Sequence, residues 1–491
     1  MTQWHDLSLG KRPEGRWALT GEWIVVDTPR GPRLVRDGEV VIEHDRILHA
    51  GAHFDGEVSA RFDMGAALIA PGFVDLDALG DLDTTLLSYD NWPSERKGRV
   101  WPQTYVERGP YEMYTPDELV AQKRFAFGQL LLNGITSAAP IASLFYREWG
   151  ETVEEFTAAA DVAEDMGLRV WLGPAYRSGG MVADEDGTLR AVFDEARGLR
   201  GLQDAVRFAR GLQGRALVSP MLAPDRVETC TDTLLKRTMH AAEDLDCPVR
   251  LHMAQGQMEL QTVQALHGKT APEWLDGIGC LSPRLLAPHA TVATQEDLER
   301  YRDNGVTVVH CPLVSARHGG ALRSFAKLRA MGINVAMGTD TAPPDMVLNM
   351  AVGMIACRLT AGHRSVRSGE MFDAATARGA AALGRSDIGV LRAGAKADIA
   401  VFDMADTHLV PRIDPVQTLI LGATGRVTKA TIVDGRLSMR DGAVAGIDMA
   451  RARTDMQAQF DGLVARYPER TLGHPPVGEI FPPTFPLSNG D

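Results

Sequence analysis

Residues 18–66 alternate short runs of strand-forming residues with turn residues. Trp23-Ile24-Val25-Val26, Arg33-Leu34-Val35, Glu39-Val40-Val41-Ile42 and Arg46-Ile47-Leu48-His49-Ala50 are separated by Gly, Pro and Asp, the punctuation of a β-rich segment. The same texture returns at Asp398-Ile399-Ala400-Val401-Phe402 and at Ala430-Thr431-Ile432-Val433-Asp434-Gly435-Arg436. Between these ends apolar strand-like runs alternate with helix-type segments, the rhythm of a parallel α/β fold. Thr115-Pro116-Asp117-Glu118 opens one helix with a cap, a proline at its first position and early acids. Thr294 caps another that runs to Asn304-Gly305, a stop signal. The Met-rich stretch Met346 to Met354 reads as a helix face in the core.

Several apolar runs end on polar residues. Pro71-Gly72-Phe73-Val74-Asp75-Leu76-Asp77 ends on two aspartates one residue apart. Side chains at i and i+2 of a strand point the same way, so both carboxylates are expected to face one site. Pro248-Val249-Arg250-Leu251-His252, Leu285-Leu286-Ala287-Pro288-His289 and Ile333-Asn334-Val335-Ala336-Met337-Gly338-Thr339-Asp340 repeat the layout. Asp75, Asp77, His252, His289 and Asp340 could thus converge on one divalent metal, and their oxygen and imidazole donors suit zinc, manganese, iron or cobalt.

These strand ends carry a resemblance to the amidohydrolase superfamily, in the branch with chlorohydrolases and aminohydrolases of triazines, guanine and cytosine. Pro-Gly-Phe-Val matches the first barrel strand; His252, His289 and Gly338-Thr339-Asp340 match the fifth, sixth and eighth strand ends. His310-Cys311-Pro312 matches the seventh, and residues 389–399 match the segment after the barrel. The similarity spans roughly residues 18–447. It implies a TIM (β/α)8 barrel over residues 67–389 and a small β-sandwich from residues 1–66 and 390–447; beyond it, residues 448–491 read as a C-terminal helix and a proline-rich tail. The tail is expected to wrap a neighbouring surface or a second subunit. The resemblance also implies one divalent ion, zinc foremost, a small-molecule substrate and a homodimer or higher homo-oligomer. His252, His289 and Asp340 are the expected ligands, completed by Asp75 or Asp77. Asp340 doubles as general base, Gln255 points into the pocket, and His310 and Cys311 serve barrel packing behind the site.

The departures from the pattern bear on the reaction. Relatives place His-x-His where Asp75 and Asp77 are read here, and deaminating relatives place a glutamate where this chain has Gln255. Three histidines and one aspartate leave a divalent ion at about +1, whereas three aspartates with two neutral histidines leave about −1, which raises the pKa of a bound water. An amide at 255 cannot shuttle protons as glutamate does. Hydrolysis of an amide, carbamate or related non-peptide C–N bond by a metal-activated water is therefore the first reading. Deamination or dehalogenation of a heteroaromatic ring is the second, conditional on Glu259 or another acid reaching the pocket. A metal-free small-molecule binder on the same barrel is the third.

Residues 81–115 are long, irregular and aromatic, with Tyr89, Trp92, Trp101, Tyr105, Tyr111 and Tyr114, and are expected to cover the barrel mouth. Arg177, Tyr176, Arg317 and His318 sit near predicted strand ends or mouth loops. A net charge of −13 disfavours nucleic acid. No apolar run approaches membrane-spanning length, and the first residues lack a signal layout. Five scattered cysteines fit reduced thiols and a cytoplasmic setting.

Overall fold

Eight short parallel strands carry the middle of the chain. They are β1 (Phe73–Leu79), β2 (Ile135–Ile141), β3 (Arg169–Leu172), β4 (Val218–Pro220), β5 (Val249–Arg250), β6 (Leu285–Pro288), β7 (Thr307–His310) and β8 (Val335–Met337). This computed structural model describes residues 4–83, 100–109, 111–141, 147, 149–322 and 325–488. Strands β1 to β4 form one ladder in sequence order and β5 to β8 another. Backbone bonds join the halves: Arg250 N–H donates to the Leu222 carbonyl at 3.0 Å, and Asp340 N–H to the Asp77 carbonyl at 2.8 Å. The sheet thus closes into a (β/α)8 barrel with no free edge.

Alternation along each strand sorts side chains into two layers. Val74, Leu76, Trp171, Met221, Leu286, Val309 and Ala336 fill the barrel interior. Phe73, Val170, Val249, Leu285, Val308 and Val335 face outward into the helix layer. Helix Pro116–Leu132 starts as the sequence predicts, with Thr115 and Glu118 forming a reciprocal cap.

The small domain is one nine-stranded sheet to which both ends of the chain contribute. Ala67–Pro71 pairs in parallel with Arg16–Val26 and antiparallel with Ile399–Asp403. The sheet folds around its own core of Trp17, Leu19, Ile24, Phe62, Ile399 and Ile432. A buried ion network fastens it to the barrel: Arg169 at the start of β3 donates to Asp398 at 2.8 and 3.1 Å and to Asp434 at 3.2 Å. Asp398 belongs to the segment that resembles the family after its barrel, and this contact gives it a structural task.

The C-terminal helix, Met449–Arg466, lies on Pro116–Leu132 through Gln122 and Gln459, 2.9 Å apart. In the segment that follows, Tyr467 and Ile480 pack with Met113, Tyr114 and Leu463. Of the aromatic loop, Tyr89 and Trp92 lie outside the described residues. Trp101, Tyr105 and Tyr114 are buried, and Arg470 donates to the Tyr105 hydroxyl at 2.6 Å.

Candidate active site

The C-terminal ends of β1, β5, β6 and β8 bring Asp77, His252, His289 and Asp340 together, at the barrel face where this fold places its chemistry. Ligand-type atoms of Asp77, His252 and His289 lie within 4.8 Å of one another, and so do those of His289, Cys311 and Asp340. Asp77 Oδ2 is 3.4 Å from His252 Nε2, and Asp340 Oδ2 is 3.5 Å from His289 Nε2. The imidazole rings sit 5.4 Å apart at 38°. His289 and Asp340 hold φ values of +79° and +47°, sparsely populated for residues with a Cβ and concentrated at functional positions. A Cβ on Gly338 would come 2.5 Å from Asp77 Cβ and 3.1 Å from Cys311 Sγ, so only glycine lets β1, β7 and β8 close around these atoms.

The two aspartates of β1 do not share a face. Val74 and Leu76 are interior, which turns Asp75 to the outer side of the strand. A register irregularity between Asp75 and Ala78 breaks the alternation, as a β-bulge does, and returns Asp77 to the interior. Asp75 does not join the ligand cluster. Its Oδ1 accepts from Thr339 N–H at 3.0 Å and Asp77 N–H at 3.1 Å, and its Oδ2 from Thr339 Oγ1 at 2.6 Å. Burial pushes its pKa up to about 7 against the pull of those bonds. Asp77 moves the other way: burial raises it, but His252 and Arg250 together hold it below the usual carboxylate range.

The His252 side chain is held from behind. Its Nδ1 meets the Asp225 carbonyl at 3.2 Å, a contact that fixes the ring and turns Nε2 toward the site. Glu259 does not enter the pocket. It accepts from Ala254 N–H at 2.6 Å and Gln255 N–H at 2.8 Å and so fastens the turn after His252. Burial, with Glu228 nearby, raises its pKa. Gln255 Oε1 accepts from Arg226, and Arg226 Nε also donates to Glu228 at 2.8 Å. Beside them Trp101, Arg177, Met181, Arg226, Glu228 and Met258 line a cleft. The Arg177 guanidinium lies 5.0 Å over the Trp101 ring and 3.7 Å from Asp225.

Other expected positions fall elsewhere. Tyr176 is buried, its hydroxyl on Thr238 at 2.9 Å. Arg317 clamps the Thr341–Ala342 turn, and His318 bonds the Val314 carbonyl. His310 packs against Phe325, as expected for barrel packing, and burial lowers its pKa to about 3. Cys311 departs from that expectation: its thiol donates to Asp77 Oδ2 at 3.5 Å, so it borders the site. Sequence reasoning also passed over Arg250. It shares a strand face with His252 and breaks an apolar run, which was its available signal.

With this geometry in hand, comparison with known proteins is direct. The amidohydrolase family profile matches residues 69–438. The chain belongs to the amidohydrolase family. A 5-methylthioadenosine/S-adenosylhomocysteine deaminase from Nitratidesulfovibrio vulgaris is 31% identical over 440 residues, covering 87% of this chain and 92% of that protein. A 5'-deoxyadenosine deaminase from Methanosarcina mazei is 26% identical over 439 residues, covering 88% and 95%. Among solved structures, an adenosine deaminase from Xanthomonas campestris with bound zinc superposes with a TM-score of 0.74 at 19% identity, covering 91% of this chain and 98% of that one. An atrazine chlorohydrolase from Arthrobacter aurescens complexed with zinc gives 0.72 at 21%, covering 90% and 99%. These superpositions bear out the barrel with its small domain. As an amidohydrolase, the chain is a hydrolase of carbon–nitrogen bonds other than peptide bonds. No described helix is long and apolar enough to cross a membrane.

Proposed function

We propose that this amidohydrolase uses one divalent ion to cleave a non-peptide C–N bond of a small heterocyclic substrate. Residues 67–389 carry the chemistry, and the strands of 1–66 and 390–447 scaffold them. The observation that supports the reading is a pair of clusters sharing His289 at the barrel mouth, Asp77 with His252 on one side and Asp340 with Cys311 on the other. The donor set fits an ion. Asp77 Oδ1 is buried and accepts no hydrogen bond from the described residues, with Arg250 Nε 3.6 Å away, so the carboxylate keeps lone pairs that an ion can take. Two imidazoles and two carboxylates favour zinc, with manganese, iron and cobalt behind it.

When bound, the ion acidifies a water and polarises the group under attack. The protein's own residues do the rest. Asp340 accepts the water's proton on its carboxylate and delivers it to the leaving nitrogen. His289, with Nε2 3.5 Å from Asp340 Oδ2, holds that carboxylate in place and borders the reacting atoms. Gln255 gives its Oε1 to Arg226, which fixes the amide beside the cleft. It orients substrate and moves no proton. Trp101, Met181 and Met258 offer an apolar wall for a flat ring.

The relatives named for adenosine-type substrates place a purine nucleoside first in the test. Metal-loaded protein is given 5'-deoxyadenosine, 5-methylthioadenosine, S-adenosylhomocysteine, a chlorotriazine, an aryl amide and an aryl carbamate. Released ammonia, amine and chloride are measured. Turnover of a C–N substrate that is lost on chelation and regained with zinc is the expected result. Failure to turn over any of the C–N substrates, with a stoichiometric ion in place, would overturn the proposal; chloride release alone would replace it with dehalogenation.

A further inference from the structure

A buried arginine faces the candidate metal site from inside the barrel. Arg250 on β5 is 4% exposed and two residues before His252, on the same strand face. Its Nη1 donates to the Ala139 and Pro140 carbonyls, each at 3.0 Å, which pins the head at the end of β2. Its Nε lies 3.6 Å from Asp77 Oδ1, and among the described residues Asp77 is its ion-pair partner. A guanidinium inside a barrel is expensive to desolvate, and an apolar side chain would fill the space at less cost. Its presence asks for a charge reason.

Charge counting supplies one. With Asp75 turned to Thr339, the carboxylates in the ligand cluster are Asp77 and Asp340. Two carboxylates with two neutral imidazoles bring a divalent ion to about 0, below the roughly +1 left by three imidazoles and one carboxylate. The fixed guanidinium restores about +1, because it stays protonated at any working pH. It also takes one oxygen of Asp77 and leaves Oδ2 facing His252. Resting on the metal-site reading above, we infer that Arg250 is the resident counter-cation of this site, which lets a carboxylate on β1 stand in for an imidazole.

The test uses the full chain stripped of metal, with Arg250→Gln, Arg250→Lys, and Arg250→Gln combined with Asp77→Asn. Zinc affinity is read by competition with a chromophoric chelator, and the stability of the metal-free protein by urea unfolding. R250Q is expected to bind zinc about tenfold tighter or more, since a like charge near the ion is gone, and to be less stable without metal. R250K keeps the charge and returns both values toward wild type. The double variant recovers metal-free stability. A zinc affinity of R250Q within about threefold of wild type, inside ordinary coupling noise, would overturn the inference, as would R250K behaving like R250Q. R250Q that folds only with zinc present supports it, since ligand binding then supplies the missing stability. Should R250Q misfold with and without zinc, recovery in the double variant supports the inference and continued misfolding overturns it. Wild type that takes up no zinc removes the metal-site reading itself and is seen before any variant is made.

Discussion

Replacing Asp75 by Asn separates a structural carboxyl from a metal ligand. Asp75 is fully buried between β1 and β8, with Oδ1 facing two backbone N–H groups and Oδ2 facing the Thr339 hydroxyl. Its pKa rises from 3.8 to about 7, chiefly through burial. The folded state therefore binds this proton more tightly than the unfolded chain does. The resulting stabilisation is complete below about pH 4 and is lost as pH rises through about 7. About three units at ~1.4 kcal/mol each give ~4 kcal/mol across that window. Asparagine copies the protonated form: its oxygen keeps both N–H bonds and its amide N–H donates to Thr339 Oγ1. In metal-free protein, urea unfolding of D75N is thus expected to match wild type near pH 4 and to exceed it by up to ~4 kcal/mol near pH 8. Zinc affinity should stay near wild type. D75N that is less stable at pH 8, or that loses zinc as D77N is expected to, would refute this placement and return Asp75 to the coordination sphere.

Asp340→Asn and His252→Ala should each lower kcat/KM by about a hundredfold or more with an unchanged circular dichroism spectrum; a residual above about a tenth, worth only ~1.4 kcal/mol, would exclude the assigned role. Arg169→Met leaves Asp398 buried with a broken ion pair and should cost ~3–5 kcal/mol in unfolding measurements, while turnover per folded molecule is retained. Glu259→Gln keeps one acceptor for the two N–H groups of Ala254 and Gln255, so a loss of ~1–3 kcal/mol and weaker zinc binding are expected by titration.

The barrel was legible because strand ends in this fold combine an apolar run with a polar terminus, and His252, His289 and Asp340 show that combination in the sequence itself. The pairing of the two chain ends was legible for a related reason: strand-forming runs with Gly and Asp turns recur at both. Asp75 was misplaced because the i, i+2 rule holds for a regular strand, and the irregularity between Asp75 and Ala78 has no residue signature such as glycine or proline. Cys311 was read through the family, which sets it behind the barrel; its closeness to Asp77 depends on the contact that Gly338 permits. Glu259 looked available because it lies one helical turn past Gln255, yet two backbone N–H groups claim it. Hydrogen-bond demand from turns cannot be seen before the turns exist.

The sheet shared by the two ends of the chain sets an order on biosynthesis. Ala67–Pro71 has Ile399–Asp403 as its antiparallel neighbour, so one of its sides stays unpaired until that distant strand leaves the ribosome. At ~5–20 residues per second the wait is roughly 20–60 s, long compared with the microseconds a local hairpin takes. Throughout it the nascent protein carries an open, apolar strand edge of the kind that recruits other chains. Expression at high translation load, or of fragments ending before residue 399, should therefore yield aggregates that a chaperone able to shield such an edge suppresses.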